Sequence, residues 1–217
     1  MINRNECWYN KACTLTDCTG CIRYYEMKYL MEHSNIPKRQ QYPIKLDSSY
    51  DEAAFEFLDS IRRDIVNFVD CGESLYLFSE TTGNGKTSWA IKLMLKYFDQ
   101  IWAGNGFGVR GKFVYVPLFL DSIKDFNNPS LRTEKDILSR IDLVVWDDIA
   151  STKLSDYDRG QLLSIIDQRV LDNKANIYTG NITTRSTMEN ILGSRLTSRI
   201  WNMSTLVKFS GKDRRAE

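Results

Sequence analysis

The fold is decided by one stretch, Ser79-Glu80-Thr81-Thr82-Gly83-Asn84-Gly85-Lys86-Thr87. An apolar segment at 75–78 comes directly before it and predicts a short strand. A segment with helical spacing follows, with Ala90, Leu93, Met94 and Tyr97 on one face. A glycine-containing turn between a strand and a helix is the context of a phosphate-binding loop, or P-loop.

The chemistry of phosphate binding explains the residue types in this loop. Gly83 and Gly85 allow backbone angles that aim successive N–H groups at phosphate oxygens, and the helix beginning at Lys86 adds its positive N-terminus. Lys86 would reach the terminal phosphates, and the Thr87 hydroxyl would coordinate Mg²⁺. We expect the nucleotide to contact the loop and the first helical turn, namely Thr82, Gly83, Asn84, Gly85, Lys86, Thr87 and Ser88.

One position departs from the usual pattern G-x-x-x-x-G-K-T. Glu80 stands where the opening glycine is expected, so a carboxylate lies near an anion site. Two outcomes are open from the sequence. The side chain points away from the phosphates, or its charge weakens nucleotide affinity.

A second motif, Leu143-Val144-Val145-Trp146-Asp147-Asp148, is an apolar strand that ends in two carboxylates. A buried strand that delivers acids at its carboxyl end is typical of a Walker B element. Asp147 would hold Mg²⁺ through water, and Asp148 would orient or activate the attacking water. Together with the P-loop, this motif predicts an enzyme that hydrolyses a nucleoside triphosphate.

Four of the five cysteines cluster near the N-terminus, at Cys7, Cys13, Cys18 and Cys21. The segment has no export signal, and clustered thiols in a reducing compartment more often bind metal than form disulfides. Four thiolates would close a tetrahedral zinc site, with His33 as a substitute ligand. An iron–sulfur cluster uses the same ligand type, and a metal-free helical cap with reduced cysteines is the third interpretation.

Length and composition indicate one good-sized domain with an appendage. The chain has 217 residues, 42% of them hydrophobic and 26% charged, with a net charge of +1. No apolar run is long enough to span a membrane, and we expect a soluble, cytoplasmic protein. A polar stretch with two prolines at 36–43 predicts a linker, so we divide the chain into an N-terminal module, 1–45, and an ATPase domain, 46–217.

Strands and helices alternate through the second part. Strands are predicted at 75–78, 112–117, 141–146, 176–180 and 205–209, and a helix at 54–68 follows a capping box formed by Ser49 and Glu52. The segment 103–111 is predicted to be an exposed loop. This alternation predicts an α/β fold in which helices cover both faces of a parallel sheet.

These motifs resemble the AAA+ ATPases of the replicative helicase-loader type (DnaC/DnaI), in a compact form like those of phages and mobile elements. Ser34-Asn35-Ile36-Pro37-Lys38-Arg39 is similar to the S-x-I-P-x-R segment that leads into the loader ATPase domain. The resemblance implies a P-loop αβα core using ATP and Mg²⁺, a hexameric replicative helicase as partner for the N-terminal module, and single-stranded DNA as the second partner. Because the chain ends soon after Arg215, we expect no helical lid.

The resemblance also implies roles for individual residues. Asn181 follows a strand where a sensor-1 amide would hold the attacking water, although Gly-Asn turns are also common. The segment 193–200 is similar to the box that carries an arginine finger for the neighbouring subunit, with Arg199 the first choice and Arg195 the second. Alignment of the last segment on its glycine gives Arg215 the sensor-2 role, with Arg214 as the alternative.

Further hypotheses concern DNA and the type of ATPase. Single-stranded DNA would stack on aromatics at 112–115 and 119–126, near Lys124, although the same aromatics would also suit a core. The ATPase core is shared with transposition helpers of the IstB type. The motifs are also compatible with a low-turnover adaptor that regulates the helicase and with a small-molecule kinase.

Overall fold

The computed structural model describes residues 7–14, 18–41, 51–101, 106–124 and 130–213. At its centre is a five-stranded sheet in the order β2-β3-β4-β1-β5, and every strand pair is parallel. The strands are β1 (Ser74–Phe78), β2 (Gly111–Tyr115), β3 (Leu143–Asp147), β4 (Ala175–Gly180) and β5 (Thr205–Lys208). The predicted α/β fold with a parallel sheet is confirmed.

The three central strands are buried on both faces, which explains their continuous apolar runs. Phe78 pairs with Gly180, and Trp146 pairs with Tyr178. This register brings the carboxyl ends of β1, β3 and β4 to one edge of the sheet. The P-loop, the two aspartates and the segment after β4 therefore meet there.

Helices cover both faces of the sheet. They are α1 (Ile22–His33), α2 (Glu52–Arg63), α3 (Ile65–Asp70), α4 (Lys86–Ile101), α5 (Val116–Ser122), α6 (Ser130–Arg140), α7 (Asp156–Leu171), α8 (Arg185–Leu192) and α9 (Ser194–Thr197). A turn of π-helix, Ser198–Asn202, follows α9, and a short 3₁₀ turn, Lys38–Gln40, follows α1.

Some predicted boundaries were wrong for local reasons. The helix predicted at 54–68 is two helices, because Asp64 leaves helical geometry at φ −118° and ψ 39°. β2 ends at Tyr115 because the proline that follows lies in the first turn of α5, where its fixed φ is favourable. Gly111 belongs to β2 rather than to a loop, and a side chain there would collide with the Phe98 ring.

The predicted capping box involves Ser49 and Glu52, and the structure describes only the second of these residues. Ser49 lies outside the described residues, and the residue before α2 is Asp51, whose side chain makes no capping bond. Its carboxylate instead accepts hydrogen bonds from the backbone N–H groups of Ser210 at 2.6 Å and Gly211 at 3.0 Å. Asp51 therefore ties the start of α2 to the segment after β5.

Helix α1 shares a hydrophobic core with the nucleotide-binding part of the chain. Met27, Leu30, Met31 and Ile36 are buried in the same cluster as the apolar side of α4. The backbone N–H of Phe113, on the edge strand β2, donates to the Ser34 carbonyl at 2.7 Å. A domain boundary near residue 45 remains a prediction, and α1 packs as part of the α/β core.

Candidate nucleotide-binding site

Lys86 is buried in the P-loop and held by oxygens of the loop itself. Its Nζ donates to the Ser79 hydroxyl at 2.6 Å, the Thr81 carbonyl at 2.9 Å and the Asn84 side-chain oxygen at 3.1 Å. Because a buried ammonium needs polar partners, these oxygens keep its charge satisfied inside the loop. Phosphate oxygens are the partners that would replace some of them.

Two glycines give the loop its shape. Gly83 has φ +71° and Gly85 has φ +101°, a left-handed region that residues with a side chain rarely occupy. Gly83 is also pressed against the Asp213 carboxylate, and a Cβ there would lie only 1.7 Å from Asp213 Oδ1. The Thr82 hydroxyl donates to the same carboxylate at 3.3 Å, so the P-loop and the C-terminal segment fit closely.

Asp147 is buried at the carboxyl end of β3 and accepts two hydrogen bonds. The hydroxyls of Thr87 and Thr179 each donate to Asp147 Oδ1 at 2.7 Å. Burial raises the pKa of the Asp147 carboxyl, and the two hydroxyls act in the opposite direction. The P-loop threonine and the Walker B aspartate are therefore already in contact, as a shared Mg²⁺ site requires.

Asp148 sits at a sharp turn in the chain. Its φ is +60°, a left-handed conformation that is uncommon for a residue with a side chain. The turn is held by Thr179, whose hydroxyl accepts from the Asp148 N–H at 3.0 Å and whose carbonyl accepts from the Ile149 N–H at 2.9 Å. Thr179 thus holds both acidic residues. Sequence reasoning missed it, although it lies on the neighbouring strand two residues before Asn181.

The structure brings the predicted P-loop residues, the two aspartates after β3 and Asn181 into one open cleft of about 1120 Å³. This volume exceeds the roughly 300–1,000 Å³ of a typical small-molecule site, so a nucleotide has room. The predicted residues that line it are Thr82, Gly83, Asn84, Gly85, Lys86, Thr87, Ser88, Asp147, Asp148 and Asn181. Glu80 is exposed and is not part of the lining, which agrees with the outcome in which it points away from the phosphates.

One wall of the cleft was not predicted. Pro37, Arg39 and Gln40 line it from the turn after α1, and Tyr115 lines it from the end of β2. The S-x-I-P-x-R segment was recognised in the sequence only as a family signature. Its position against the cleft follows from the packing of α1, which a linear motif does not reveal.

The segment after β5 is fastened onto the P-loop. The Thr81 hydroxyl donates to the Gly211 carbonyl at 3.1 Å, and Asp51 holds the preceding N–H groups. Arg214 and Arg215, the two candidates for the sensor-2 role, lie outside the described residues. Their assignment therefore remains a prediction.

The two candidate finger arginines lie outside the cleft lining. Arg199 Nε donates to Asp167 Oδ1 at 2.5 Å, and Arg195 Nη2 lies 3.7 Å from Asp167 Oδ2. Both are thus paired to α7 of their own chain. Their location is consistent with a role at a neighbouring subunit's nucleotide, and that role remains a prediction.

The cysteine cluster does not form a metal site in this structure. Cys7, Cys13, Cys18 and Cys21 are half-buried and form no disulfide, and within residues 7–14 and 18–41 no three metal-ligating side chains converge. His33 is engaged elsewhere, with Nδ1 2.8 Å from the Tyr29 carbonyl. In the described part of this segment the cysteines are not arranged as a zinc or iron–sulfur centre, and the metal-staple prediction is without support.

Aromatic contacts hold the cysteine-containing segment against α1. The Trp8 indole donates to the Gln41 carbonyl at 3.2 Å and packs against the Tyr24 ring. The Arg23 guanidinium lies 3.5 Å from the centre of the Tyr9 ring. These contacts join the described part of this segment to α1 and to the segment that follows it.

The aromatics proposed for single-stranded DNA are divided between core and surface. Phe113 and Phe119 are buried in the hydrophobic clusters and are not available to stack on bases. Tyr115 is exposed at the mouth of the cleft, and Lys124 is exposed beside Asp121. Phe126 lies outside the described residues.

No helix in the described part of the chain has the length and hydropathy of a membrane span. No protein-family model and no curated protein matches the sequence.

Solved structures do match. The crystal structure of the DnaC helicase loader superposes with a TM-score of 0.62 at 21% identity, over 77% of this chain and 94% of that chain. DnaI gives 0.63 at 18% identity, over 84% and 95%. The replication initiator DnaA, bound to AMPPCP and single-stranded DNA, gives 0.61 at 14% identity, over 85% of this chain and 50% of that one. The protein therefore has the same P-loop α/β fold as the DnaC helicase loader and DnaI.

Proposed function

We propose that the protein is an ATPase that binds a hexameric replicative helicase and assists its loading onto single-stranded DNA. The observation that carries the proposal is the cleft itself, in which a P-loop lysine, its threonine and a buried strand-end aspartate converge. The protein shares its fold with the DnaC helicase loader over 94% of that chain and with DnaI over 95% of that chain. The resemblance of the Ser34–Arg39 segment to the loader signature supports the same function.

Each site residue has a separate role in ATP hydrolysis. Lys86 and the P-loop N–H groups hold the phosphates, and Thr87 with Asp147 would hold Mg²⁺, which supplies charge neutralisation at the phosphoryl oxygens. Asp148, fixed by Thr179, accepts a proton from the attacking water, and Asn181 orients that water. Because ATP serves to switch the assembly, slow turnover is sufficient.

ATP binding is tested by replacing Lys86. Lys86→Ala removes the phosphate-binding ammonium, and we expect at least a tenfold loss of ATP affinity, equal to about 1.4 kcal/mol. Calorimetry with a non-hydrolysable ATP analogue and Mg²⁺ gives the affinity. Lys96→Ala, on the same helix but paired with Asp99, is the control and should bind like wild type. Equal affinity for Lys86→Ala and wild type would contradict an ATP site here.

We place the helicase contact on the N-terminal part, and exposed apolar side chains support this. On α1, Ile22 is 65% exposed and Tyr25 is 43% exposed. Phe107 is 64% exposed, and its ring packs against the ring of Tyr29 on the same helix. Exposed apolar side chains that lie together are typical of protein-binding surfaces. The opposite side of α1 is in the core, so this surface is rigidly presented.

The contact is tested without deleting α1. Ile22→Asp with Tyr25→Asp should abolish capture of the helicase by the immobilised protein, with ATP binding unchanged. Leu171→Asp is the matched control, because Leu171 is 79% exposed on α7. Equal capture by the double variant and wild type would exclude this surface.

A further inference from the structure

Asp167 on α7 contacts both candidate finger arginines. Its Oδ1 accepts from Arg199 Nε at 2.5 Å, and its Oδ2 lies 3.7 Å from Arg195 Nη2. The Asp167 side chain is 23% exposed, against 39% for Arg199 and 76% for Arg195. One partly buried carboxylate thus faces two guanidinium groups.

The two arginine contacts are not equivalent. Arg199 is hydrogen-bonded through Nε, whereas Arg195 is beyond hydrogen-bond distance and far more exposed. A bond through Nε fixes the plane of the guanidinium and leaves Nη2, with the Nη1 hydrogen that does not face Met203, as donors on one edge. Arg199 Nη1 additionally lies 3.8 Å from Met203 Sδ. Arg199 is therefore the guanidinium whose direction is set in advance.

The backbone contributes to this direction. Arg199 lies in the π-helical turn Ser198–Asn202, directly after α9. A wider turn of this kind shifts the side chains that follow relative to an α-helix, and such turns are frequent at functional sites. In this protein the π-helical turn places Arg199 next to α7, where its Nε donates a hydrogen bond to Asp167.

We propose that Asp167 is the positioning residue of the arginine finger. This inference rests on the finger proposed from the family resemblance, and it selects Arg199 over Arg195. Asp167 holds the Arg199 guanidinium through Nε, so that the Nη edge meets the terminal phosphate of the neighbouring subunit without first being ordered. Without the carboxylate, Arg199 and Arg195 repel each other, and the donor edge loses its direction.

The experiment mixes two inactive variants. Arg199→Ala keeps an intact nucleotide site, and Lys86→Ala keeps an intact finger. We expect neither variant to hydrolyse ATP alone. Mixed together with single-stranded DNA, they should hydrolyse ATP at the interface where the Lys86→Ala subunit donates Arg199. ATP turnover of the mixture is the readout.

Asp167→Asn is then placed in one subunit at a time. In the finger-donating subunit it should lower the mixed rate by about tenfold to a hundredfold, the scale expected for a misplaced catalytic group. In the site-donating subunit, which already lacks Arg199, it should change the rate by less than about twofold. A purely structural role of Asp167 would lower both, which would overturn the proposal, as would no loss in either subunit.

Two controls make the outcomes distinguishable. Asp167→Glu in the finger-donating subunit should restore at least part of the rate, and Asp172→Asn, at the end of the same helix, should have no effect. If the mixture is inactive although wild type hydrolyses ATP, Arg199 does not act in trans and the finger itself fails. If wild type does not hydrolyse ATP, the ATPase function proposed above fails.

Discussion

At the scale of single residues, the buried carboxylate of Asp147 combines two opposing requirements. A Mg²⁺ site needs it ionised, whereas its burial favours the protonated form and raises its pKa. The hydroxyls of Thr87 and Thr179 reduce this conflict because they donate to the ionised form. The ionised carboxylate therefore destabilises the fold unless a cation neutralises it.

This conflict gives a pH dependence with a defined sign. The folded protein binds the Asp147 proton more tightly than the unfolded chain does, so its contribution to the free energy of unfolding is lost as pH rises through the raised pKa. Asp147→Asn should remove this loss and leave the nucleotide-free protein more stable at neutral pH. Mg²⁺–ATP affinity should fall by about 10- to 100-fold.

Urea unfolding without nucleotide, from about pH 4 to about pH 7, measures the effect. Asp172→Asn, at an exposed aspartate directly after α7, is the control. A variant Asp147→Asn that is less stable than wild type at neutral pH would contradict the destabilising role of this carboxylate.

Gly83 gives a second prediction at the residue scale. Gly83→Ala combines a left-handed φ with a collision against Asp213, and we expect at least a tenfold loss of ATP affinity. Asp213→Ala removes a carboxylate beside the phosphate loop and should raise ATP affinity several-fold. Calorimetry on the single and double variants separates the two effects, because the double variant should recover only the part due to collision. Weaker ATP binding by Asp213→Ala would show that this carboxylate supports the site.

The sequence revealed those site residues that belong to a contiguous motif. Lys86, Thr87 and Asp147 were found because their spacing is local, and the structure brings them together. Thr179 and Asp213 were missed because their roles depend on strand register and on the path of the segment after β5. Neither the strand register nor the path of that segment can be predicted from the residues next to Thr179 and Asp213.

At the scale of elements, Arg169 connects α7 to the amino ends of β3 and β4. It is fully buried, and burial lowers its pKa to about 10, so it stays charged at neutral pH. Five hydrogen bonds satisfy it, to the carbonyls of Leu138, Ile141, Asp142 and Ala175 and to the Asn176 side chain. Its hydrogen bonds therefore join α7 to the end of the sheet opposite the nucleotide cleft.

Replacing Arg169 should destabilise the fold strongly. Arg169→Ala leaves several buried carbonyls without donors, and we expect a loss of about 3 kcal/mol or more in the free energy of unfolding. Arg169→Lys should recover little, because one ammonium cannot reach partners on three elements. Chemical denaturation measures both. Arg159→Ala, at a partly exposed arginine of the same helix that pairs with Asp156, should stay within about 1 kcal/mol. A similarly small loss for Arg169→Ala would contradict the assigned role.

Element types were predictable where the apolar pattern was regular, as in β1, β3 and α4. The break between α2 and α3 was not predictable. The helical spacing of apolar residues continues through Asp64, whereas the helical backbone conformation ends there. The burial of Arg169 was also not predictable, because the sequence pattern of a helix does not show whether an arginine in it is exposed or buried.

At the scale of the whole molecule, α1 is part of the hydrophobic core that also contains α4 and one face of the sheet. Met31 is 1% exposed and lies in the same cluster as α4. Met31→Ala should cost about 2–5 kcal/mol in the free energy of unfolding. Met203→Ala, at a half-exposed methionine, should cost less than about 1 kcal/mol. Denaturant titration compares the two, and equal small losses would mean that α1 docks only loosely.

The function proposed for the whole molecule is to use ATP to place a hexameric helicase on single-stranded DNA. The decisive quantity is the amount of a hexameric replicative helicase retained on circular single-stranded DNA as the protein is added with ATP and Mg²⁺. We expect wild type to increase helicase retention and Lys86→Ala to leave it unchanged. Helicase retention that does not respond to wild type, with or without ATP, would contradict the proposed function.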